Sequence, residues 1–153
     1  MEPSGALAAC FTYGSLMWPD IMVRACGRAG GAPPCEPAWL EGHARHPVVD
    51  QDYPGLVKRP GAAPVQGVLY RAITAAELER LDAFEGEEYE RVRVTVWVRG
   101  PNTGLTEPAW AYRFRPEFAH RLGAGDWSVQ NFEAQGKARF CQRYAGFAPT
   151  PAP

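Results

Sequence analysis

Glu85 is the residue of this sequence whose position is hardest to explain by stability alone. Leu78, Leu81 and Glu85 are spaced i, i+3 and i+7 in a predicted helix, so they share one face. The leucines mark that face as the buried one, and the last turn of a helix disfavours negative charge. Both effects raise the pKa of a carboxyl group, which suits it to general acid and base chemistry. The alternative is a side chain that turns to solvent as the helix frays.

A second candidate lies at the end of the first predicted strand, in the segment Phe11-Thr12-Tyr13-Gly14-Ser15-Leu16-Met17. A glycine at a strand end lets the backbone turn and expose consecutive N–H groups, which then bind an anion or a developing oxyanion. The alternative is an ordinary strand-to-helix turn. The segment has neither the GxxxxGK[ST] pattern of phosphate-binding loops nor the GxSxG pattern of a nucleophilic serine.

The helix that carries Glu85 has sequence signals at both ends. Thr74 and Glu77 have the spacing of a capping box, in which each side chain accepts a hydrogen bond from the other's backbone N–H. Gly86 suits the position that follows the last turn. The sequence therefore predicts a helix that starts at Thr74 and ends at Glu85.

The remaining elements are mostly short and extended. Four alternating valines predict a strand with one buried face: Val92, Val94, Val96 and Val98. We expect this strand to pair as a hairpin with residues 109–114, through the turn at 102–104. Other strands are predicted at 7–13 and 65–71, an irregular extended segment at 38–49, a loop at 27–37 and a turn at 53–55. Helices are predicted at 19–24 and from Asp126 to residue 144, with Gly136 as a weak point in the second.

This order of elements is not a regular alternation of strands and helices. It predicts an α+β fold: a small mixed β-barrel-like sheet flanked by helices. We expect one domain over residues 1–147, followed by a proline-rich tail at 148–153.

Composition excludes several classes of protein. The chain has 153 residues, with 16 Lys+Arg against 17 Asp+Glu, and this balance argues against nucleic acid as a partner. Residues 1–4 lack the basic start of a signal peptide, and the apolar stretch at 6–11 is too short to span a membrane. The four cysteines form no CxxC pair, so we expect reduced, mostly packing cysteines in a cytoplasmic protein without a membrane partner.

Short motifs follow one another in a fixed order over about residues 10 to 140. After the segment at 11–17 come Leu40-Glu41-Gly42-His43-Ala44-Arg45, Tyr53-Pro54-Gly55-Leu56-Val57, Val65-Gln66-Gly67-Val68-Leu69-Tyr70, Leu81-Asp82-Ala83-Phe84-Glu85-Gly86 with Tyr89 and Arg91, Trp110-Ala111-Tyr112 and Asp126-Trp127. In this order they resemble the AIG2-like branch of the γ-glutamylcyclotransferase family. The resemblance implies a compact barrel-like fold with one pocket.

The resemblance also implies an activity: conversion of a γ-glutamyl amide into 5-oxoproline and a free amine, without cofactor or metal. The family's catalytic glutamate corresponds to Glu85, and its substrate-binding loop to Tyr13, Gly14, Ser15 and Leu16. Ser15 stands where relatives often have threonine. The stretch at 86–89 is short, as in the AIG2-like branch, so the substrate of the glutathione-degrading branch does not carry over directly.

Other residues have two interpretations each. Arg45 and Arg91 either bind a substrate carboxylate or pair with nearby acids, and Tyr53 and Tyr89 either line the pocket or pack in the core. We include Arg45, Tyr53 and Tyr89 among the substrate-binding residues. The three histidines lack the spacing of a metal site, so no metal is expected.

The expected reaction needs no nucleophile from the protein, because the substrate's own α-amine attacks its own γ-carbonyl. An orienting pocket makes that tethered attack efficient. The alternatives are a non-catalytic small-molecule-binding or interaction protein on the same fold, and plain hydrolysis of the γ-glutamyl group. The sequence does not determine the oligomeric state.

Overall fold

The computed structural model describes residues 7–143, so the predicted proline-rich tail lies outside the described residues. Five strands close into a barrel in the order β1-β5-β2-β6-β7. These are β1 (Ala8–Thr12), β2 (Cys35–Leu40), β5 (Val65–Ile73), β6 (Tyr89–Val98) and β7 (Thr106–Phe114). The β1–β7 pair is parallel and the other neighbours are antiparallel, so the sheet is mixed. The predicted barrel-like α+β fold is confirmed.

The β6–β7 hairpin is confirmed over its full length, from Tyr89 opposite Phe114 to Trp97 opposite Thr106. The valine face is confirmed in one half of the strand, where Val96 and Val98 are buried in the barrel, whereas Val92 and Val94 are partly exposed. The hairpin starts earlier on its second strand than the sequence predicts, because residues 106–108 pair with β6.

Two further strands, β3 (His43–Pro47) and β4 (Pro54–Lys58), form a separate hairpin. The predicted turn at residues 53–55 is therefore wrong: Pro54 and Gly55 are paired within this sheet. Gly55 stands there because a side chain does not fit, since a Cβ atom would lie 2.9 Å from Phe114 and Leu122. The glycine permits close packing of β4 on β7 and makes no turn.

Helix α1 (Pro19–Cys26) follows a short 3-10 helix at Ser15–Met17, and helix α2 (Ala75–Glu85) follows β5. Both hydrogen bonds of the predicted capping box are present, 2.9 and 3.1 Å long, and Gly86 caps the other end at φ +82°. A second 3-10 helix covers Pro116–Arg121. Helices α1 and α2 are thus where the sequence signals place them, whereas the 3-10 helix at Pro116–Arg121 is not predicted from the sequence.

The last helical segment is interrupted near its predicted weak point. It consists of α3 (Val129–Asn131), a π-helical stretch at Phe132–Gly136 and α4 (Lys137–Arg143). The Ser128 hydroxyl accepts from the Asn131 N–H and caps the start. Gly136 is buried, and a Cβ atom there would lie 3.2 Å from Asp52 and Phe132.

The core has two parts. One fills the barrel with residues from all five of its strands, among them Phe11, Leu40, Leu69, Val96 and Ala111. The other lies between the outside of the barrel and the helices, and it includes residues of α1, α2 and the last helical segment. Within residues 7–143, no helix has the length and apolar character needed to cross a membrane.

Candidate active site

A cavity of about 330 Å³ opens where the end of β1 meets the end of α2. Its wall combines aromatic side chains, the loop after β1 and charged side chains, with single residues of neighbouring elements between them. The aromatic residues are Phe11, Tyr13, Tyr53, Phe84, Tyr89, Tyr112 and Phe140. The loop contributes Gly14, Ser15 and Leu16, and the neighbouring elements contribute Thr12, Pro54 and Gly86. The charged residues are Glu85, Glu87, Glu88 and Arg121. A cavity of this size and mixed character fits a small polar metabolite.

Glu85 reaches the cavity from the last turn of α2. Leu78 and Leu81 on the same face are buried, as predicted, and Glu85 itself is only partly exposed, in the cavity wall. Desolvation by the surrounding protein, and then the nearby negative charge of Asp82, raise its pKa to about 8. The carboxyl group therefore exchanges its proton near neutral pH.

The loop after β1 forms another part of the lining of this cavity. Gly14 precedes the 3-10 helix at Ser15–Met17, and a Cβ atom on it would lie 2.7 Å from the Pro54 ring. Only glycine lets the loop pass this close to β4. The first N–H groups of a helix have no partner within it, so Ser15 and Leu16 begin a turn whose N–H groups are free of helical hydrogen bonds.

Comparison with known proteins identifies the family. The family model described as gamma-glutamyl cyclotransferase, AIG2-like, matches residues 10–129, which contain both Glu85 and the loop after β1. The chain belongs to this family. The resemblance inferred from the sequence motifs is confirmed.

Curated AIG2-like relatives are found in Arabidopsis thaliana. AIG2-like protein A is 30% identical over 137 residues, which cover 88% of this chain and 77% of the relative. AIG2-like protein B is 37% identical over 138 residues, covering 88% and 74%.

Solved structures show the same fold. The Arabidopsis thaliana protein At5g39720.1 aligns with a TM-score of 0.63 at 27% identity, over 90% of this chain and 88% of that one. An AIG2-like protein from Mus musculus aligns with a TM-score of 0.61 at 24% identity, over 80% and 88%. A gamma-glutamyl cyclotransferase aligns with a TM-score of 0.60 at 15% identity, over 96% and 91%.

Four tyrosines in the wall of this AIG2-like cavity share one arrangement: each hydroxyl group donates its hydrogen to a protein acceptor. The bonds are Tyr13 to the Tyr112 carbonyl at 2.6 Å, Tyr53 to Glu88 at 3.0 Å, Tyr89 to the Pro54 carbonyl at 2.7 Å and Tyr112 to Asp82 at 2.6 Å. Burial raises the pKa of Tyr13 and Tyr89 well above the ordinary value, so these hydroxyls stay protonated. The lining positions predicted for Tyr53 and Tyr89 are observed.

Arg45 lies behind the loop, and it is absent from the cavity lining. Its Nη1 donates to the Tyr13 carbonyl at 2.9 Å, and its Nε and Nη2 bind the two oxygens of Asp126 at 2.8 and 3.0 Å. The structure favours the pairing alternative for Arg45, because its guanidinium group already spans a carbonyl and a carboxylate. Arg45 supports the loop from outside.

Arg91 likewise takes the second of its two predicted roles. Its Nε and Nη2 donate to Asp82 at 2.8 and 3.3 Å, and its guanidinium carbon lies 4.4 Å from the Trp110 ring centre. Asp82 is therefore held by an ion pair, at the outer side of the wall that contains Tyr112.

Sequence reasoning missed part of the lining. Phe140 comes from α4 and Arg121 from the 3-10 helix before it, both far along the chain from Glu85. Arg121 forms a short ion pair with Glu88, which also accepts from Tyr53. No local pattern marks either residue, since only the tertiary fold brings them to the cavity.

The remaining candidates lie in packing positions. All four cysteines are unpaired, and Cys10 and Cys26 are buried, whereas Cys35 is exposed against expectation. Burial raises the pKa of Cys10 to about 12, so this thiol stays protonated. Trp127 and Phe132 pack against Trp18 and connect the last helical segment to the start of α1. Among residues 7–143, no three His, Cys, Asp or Glu side chains are grouped as metal ligands.

Proposed function

We propose that this protein is a γ-glutamylcyclotransferase-like enzyme that releases 5-oxoproline and a free amine from a γ-glutamyl amide. Glu85 is the general acid and base, and the loop at Tyr13–Leu16 binds the γ-glutamyl end. The observation that carries the proposal is the position of Glu85: a desolvated carboxyl group with a pKa of about 8 in the same cavity as that loop.

The pKa of Glu85 matches the proton that the reaction must move. An α-ammonium group has a pKa of about 8, and it must lose a proton before it attacks. Because donor and acceptor have similar pKa values, transfer from the substrate to Glu85 is nearly balanced in free energy. An ordinary, solvent-exposed glutamate would be too weak a base for this step.

Two protons leave the substrate's α-ammonium nitrogen in the proposed reaction. Glu85 accepts the first, and the free amine then forms a bond to the γ-carbonyl carbon, whose oxygen becomes negative while the ring nitrogen becomes positive. The bond from that carbon to the leaving nitrogen breaks as Glu85 gives its proton to that nitrogen, and the ring nitrogen releases its second proton to the departing amine or to solvent. The protein forms no covalent bond, and the proposed cycle uses no metal or cofactor. Neutral amide and aromatic groups around the cavity hold the γ-glutamyl arm in its folded conformation.

The loop at Tyr13–Leu16 is suited to the negative charges of the substrate. In the proposed complex, the N–H groups of Ser15 and Leu16 bind a carboxylate or a developing oxyanion, because the first hydrogen bond of the 3-10 helix comes from the N–H of Met17. The aromatic rings of the cavity wall lower the local dielectric constant, which strengthens such hydrogen bonds.

Substitution of Glu85 tests the proposal. Glu85→Gln keeps the size of the side chain but cannot accept the proton, so we expect release of 5-oxoproline to fall at least about a hundredfold. The assay offers a panel of γ-glutamyl amines, γ-glutamyl amino acids and glutathione, and 5-oxoproline is measured by chromatography. Glu79→Gln is the matched control, because Glu79 lies on the same helix but is exposed.

Three outcomes would contradict the proposal. Full activity of Glu85→Gln removes the residue from the mechanism. Glutamate in place of 5-oxoproline indicates hydrolysis. Tight binding of a panel compound without turnover favours the non-catalytic binding protein. A free small-molecule substrate, without nucleic acid or membrane, and a cytoplasmic location stay predictions of the sequence.

A further inference from the structure

Asp82 lies three residues before Glu85, on the preceding turn of α2, and the reaction as proposed does not use it. Its Oδ1 accepts two hydrogen bonds, from the Tyr112 hydroxyl at 2.6 Å and from Arg91 Nε at 2.8 Å. Its Oδ2 accepts from Arg91 Nη2 at 3.3 Å. Asp82 thus joins a cavity residue of β7 to a cation of β6.

We propose that Asp82, held in place by Arg91, is a positioning residue of this site. It fixes the Tyr112 hydroxyl with its hydrogen directed out of the cavity, and it places a negative charge beside Glu85. This inference rests on the proposed function, because it names the groups that adjust the acid and base of that reaction.

The orientation of Tyr112 follows from the chemistry of the bond. A carboxylate only accepts hydrogen bonds, so the Tyr112 hydroxyl must donate to Asp82. The phenolic oxygen then keeps its acceptor capacity for the cavity, which Tyr112 lines. An acceptor there fits the ammonium group of the substrate and leaves no donor that competes with it.

The charge of Asp82 acts on Glu85 because little else in the wall opposes it. The titratable groups that face Glu85 from the packed elements are Cys10, Tyr13, Tyr89 and Tyr112, all of them neutral when protonated. Burial or hydrogen bonding keeps their pKa values high. The other charged side chains of the cavity wall, Glu87, Glu88 and Arg121, lie beyond the end of α2, and Glu88 is paired with Arg121.

Arg91 is the counter-ion of Asp82. Its guanidinium group is held by Asp82 on one side and by the Trp110 ring on the other, so its position is fixed. Side-chain exposures of 41% for Asp82 and 27% for Arg91 mean that solvent screens both charges in part. Removing either one should therefore shift the titration of Glu85 modestly, and the two removals should act in opposite directions.

The experiment follows the titration of Glu85 itself. The side-chain carboxyl carbon of ¹³C-labelled Glu85, identified by its absence in Glu85→Gln, is titrated by NMR between pH 4 and 10. We expect Asp82→Asn to lower the apparent pKa by about 0.5 unit and Arg91→Gln to raise it by a similar amount. The amide oxygen introduced by Asp82→Asn still accepts from Tyr112, so the fold and that hydrogen bond are retained in this variant.

Matched controls remove the same charges elsewhere. Glu79→Gln removes an exposed acid of α2, and Arg93→Gln removes an exposed cation of β6 that also lies over Trp110, at 4.6 Å. Each control should shift the titration of Glu85 by less than half as much as its partner variant. Equal shifts in a control and its partner, or shifts of the same sign in Asp82→Asn and Arg91→Gln, would overturn the inference.

The orientation of the Tyr112 hydroxyl group by Asp82 is tested separately, by the KM values of substituted proteins. Asp82→Ala removes the charge and the acceptor together, whereas Asp82→Asn removes only the charge. We expect Asp82→Ala to raise KM about tenfold over Asp82→Asn, and Tyr112→Phe to raise KM by a similar factor, with a smaller change in kcat. Equal KM values for the two Asp82 variants would contradict this orientation.

Failure of the inference is distinguishable from failure of the proposed function. If the unsubstituted protein turns over no compound of the panel, the proposed function fails, while the NMR titration still measures whether Asp82 and Arg91 act on Glu85. If turnover is present and the titration of Glu85 is unchanged in Asp82→Asn, only the positioning role is rejected.

Discussion

At the scale of single residues, Glu85 combines a structural cost with a chemical use. A desolvated carboxyl group beside another negative charge is less stable when ionised than the same group in water, and this raises the pKa of Glu85 to about 8. Leucine at this position would extend the apolar face made by Leu78 and Leu81. The sequence rule that Glu85 breaks is therefore the signal that identifies it.

The raised pKa of Glu85 predicts how the stability of the folded protein depends on pH. The folded protein prefers the protonated carboxyl group, so this preference stabilises the fold below about pH 4.5 and is lost as the pH rises towards 8. Glu85→Gln stays neutral throughout and avoids the loss. We expect the variant to be more stable than the unsubstituted protein at pH 8, by on the order of 2–4 kcal/mol, and nearly equal at pH 4.5.

Urea unfolding at both pH values measures this difference. Glu79→Gln serves as the control, because an exposed glutamate titrates almost equally in the folded and unfolded chains. A gap between Glu85→Gln and the unsubstituted protein that stays constant with pH would show that Glu85 is not desolvated.

At the scale of elements, local signals decide what the sequence predicts. Both ends of helix α2 are predictable because its capping box, apolar face and terminal glycine all lie within a dozen residues. Strand β4 is not, because Pro54 and Gly55 have turn composition and only their packing against β7 explains them. Elements stabilised mainly by contacts with distant segments give no such local signal.

The loop after β1 is the element on which substrate binding is proposed to depend, and Arg45 holds it. Arg45→Gln removes the donor to the Tyr13 carbonyl, so the Gly14–Leu16 backbone loses its support. We expect kcat/KM to fall about ten- to a hundredfold, mainly through KM, since small displacements in a site have effects of this size.

Asp126→Asn is the matched control for Arg45→Gln. Asp126 is 65% exposed on its side chain, and its substitution weakens the ion pair while the bond from Arg45 to Tyr13 remains. We expect kcat/KM within about threefold of the unsubstituted protein, because exposed ion pairs contribute little. A loss in Asp126→Asn as large as that in Arg45→Gln would assign the effect to the ion pair and reject the support of Tyr13.

At the scale of the whole molecule, the cavity depends on how the barrel closes. The closing pair joins Cys10 of β1 to Trp110 of β7, about a hundred residues apart, and brings the loop after β1 to the end of α2. The sequence predicts the strands and Glu85 but not this closure, nor the arrival of Arg121 and Phe140 at the cavity. The family resemblance supplies the overall architecture that local patterns lack.

Gly67 tests the contact between β1 and β5, which the closed barrel also requires. It lies on β5 opposite β1, and a Cβ atom there would lie 2.1 Å from the Thr12 carbonyl oxygen and 2.7 Å from the Phe11 ring. Gly67→Ala must therefore push β1 away from β5, since backbone atoms cannot yield as a flexible side chain does. We expect a loss of stability of about 2–4 kcal/mol and a Tm lower by about 6–12 °C, and lower activity because Phe11 and Thr12 line the cavity.

Gln66→Ala, on the exposed neighbouring residue, should change Tm by no more than about 2 °C. Equal stability of the two variants would show that the β1–β5 contact is not tight, and that the cavity does not depend on it.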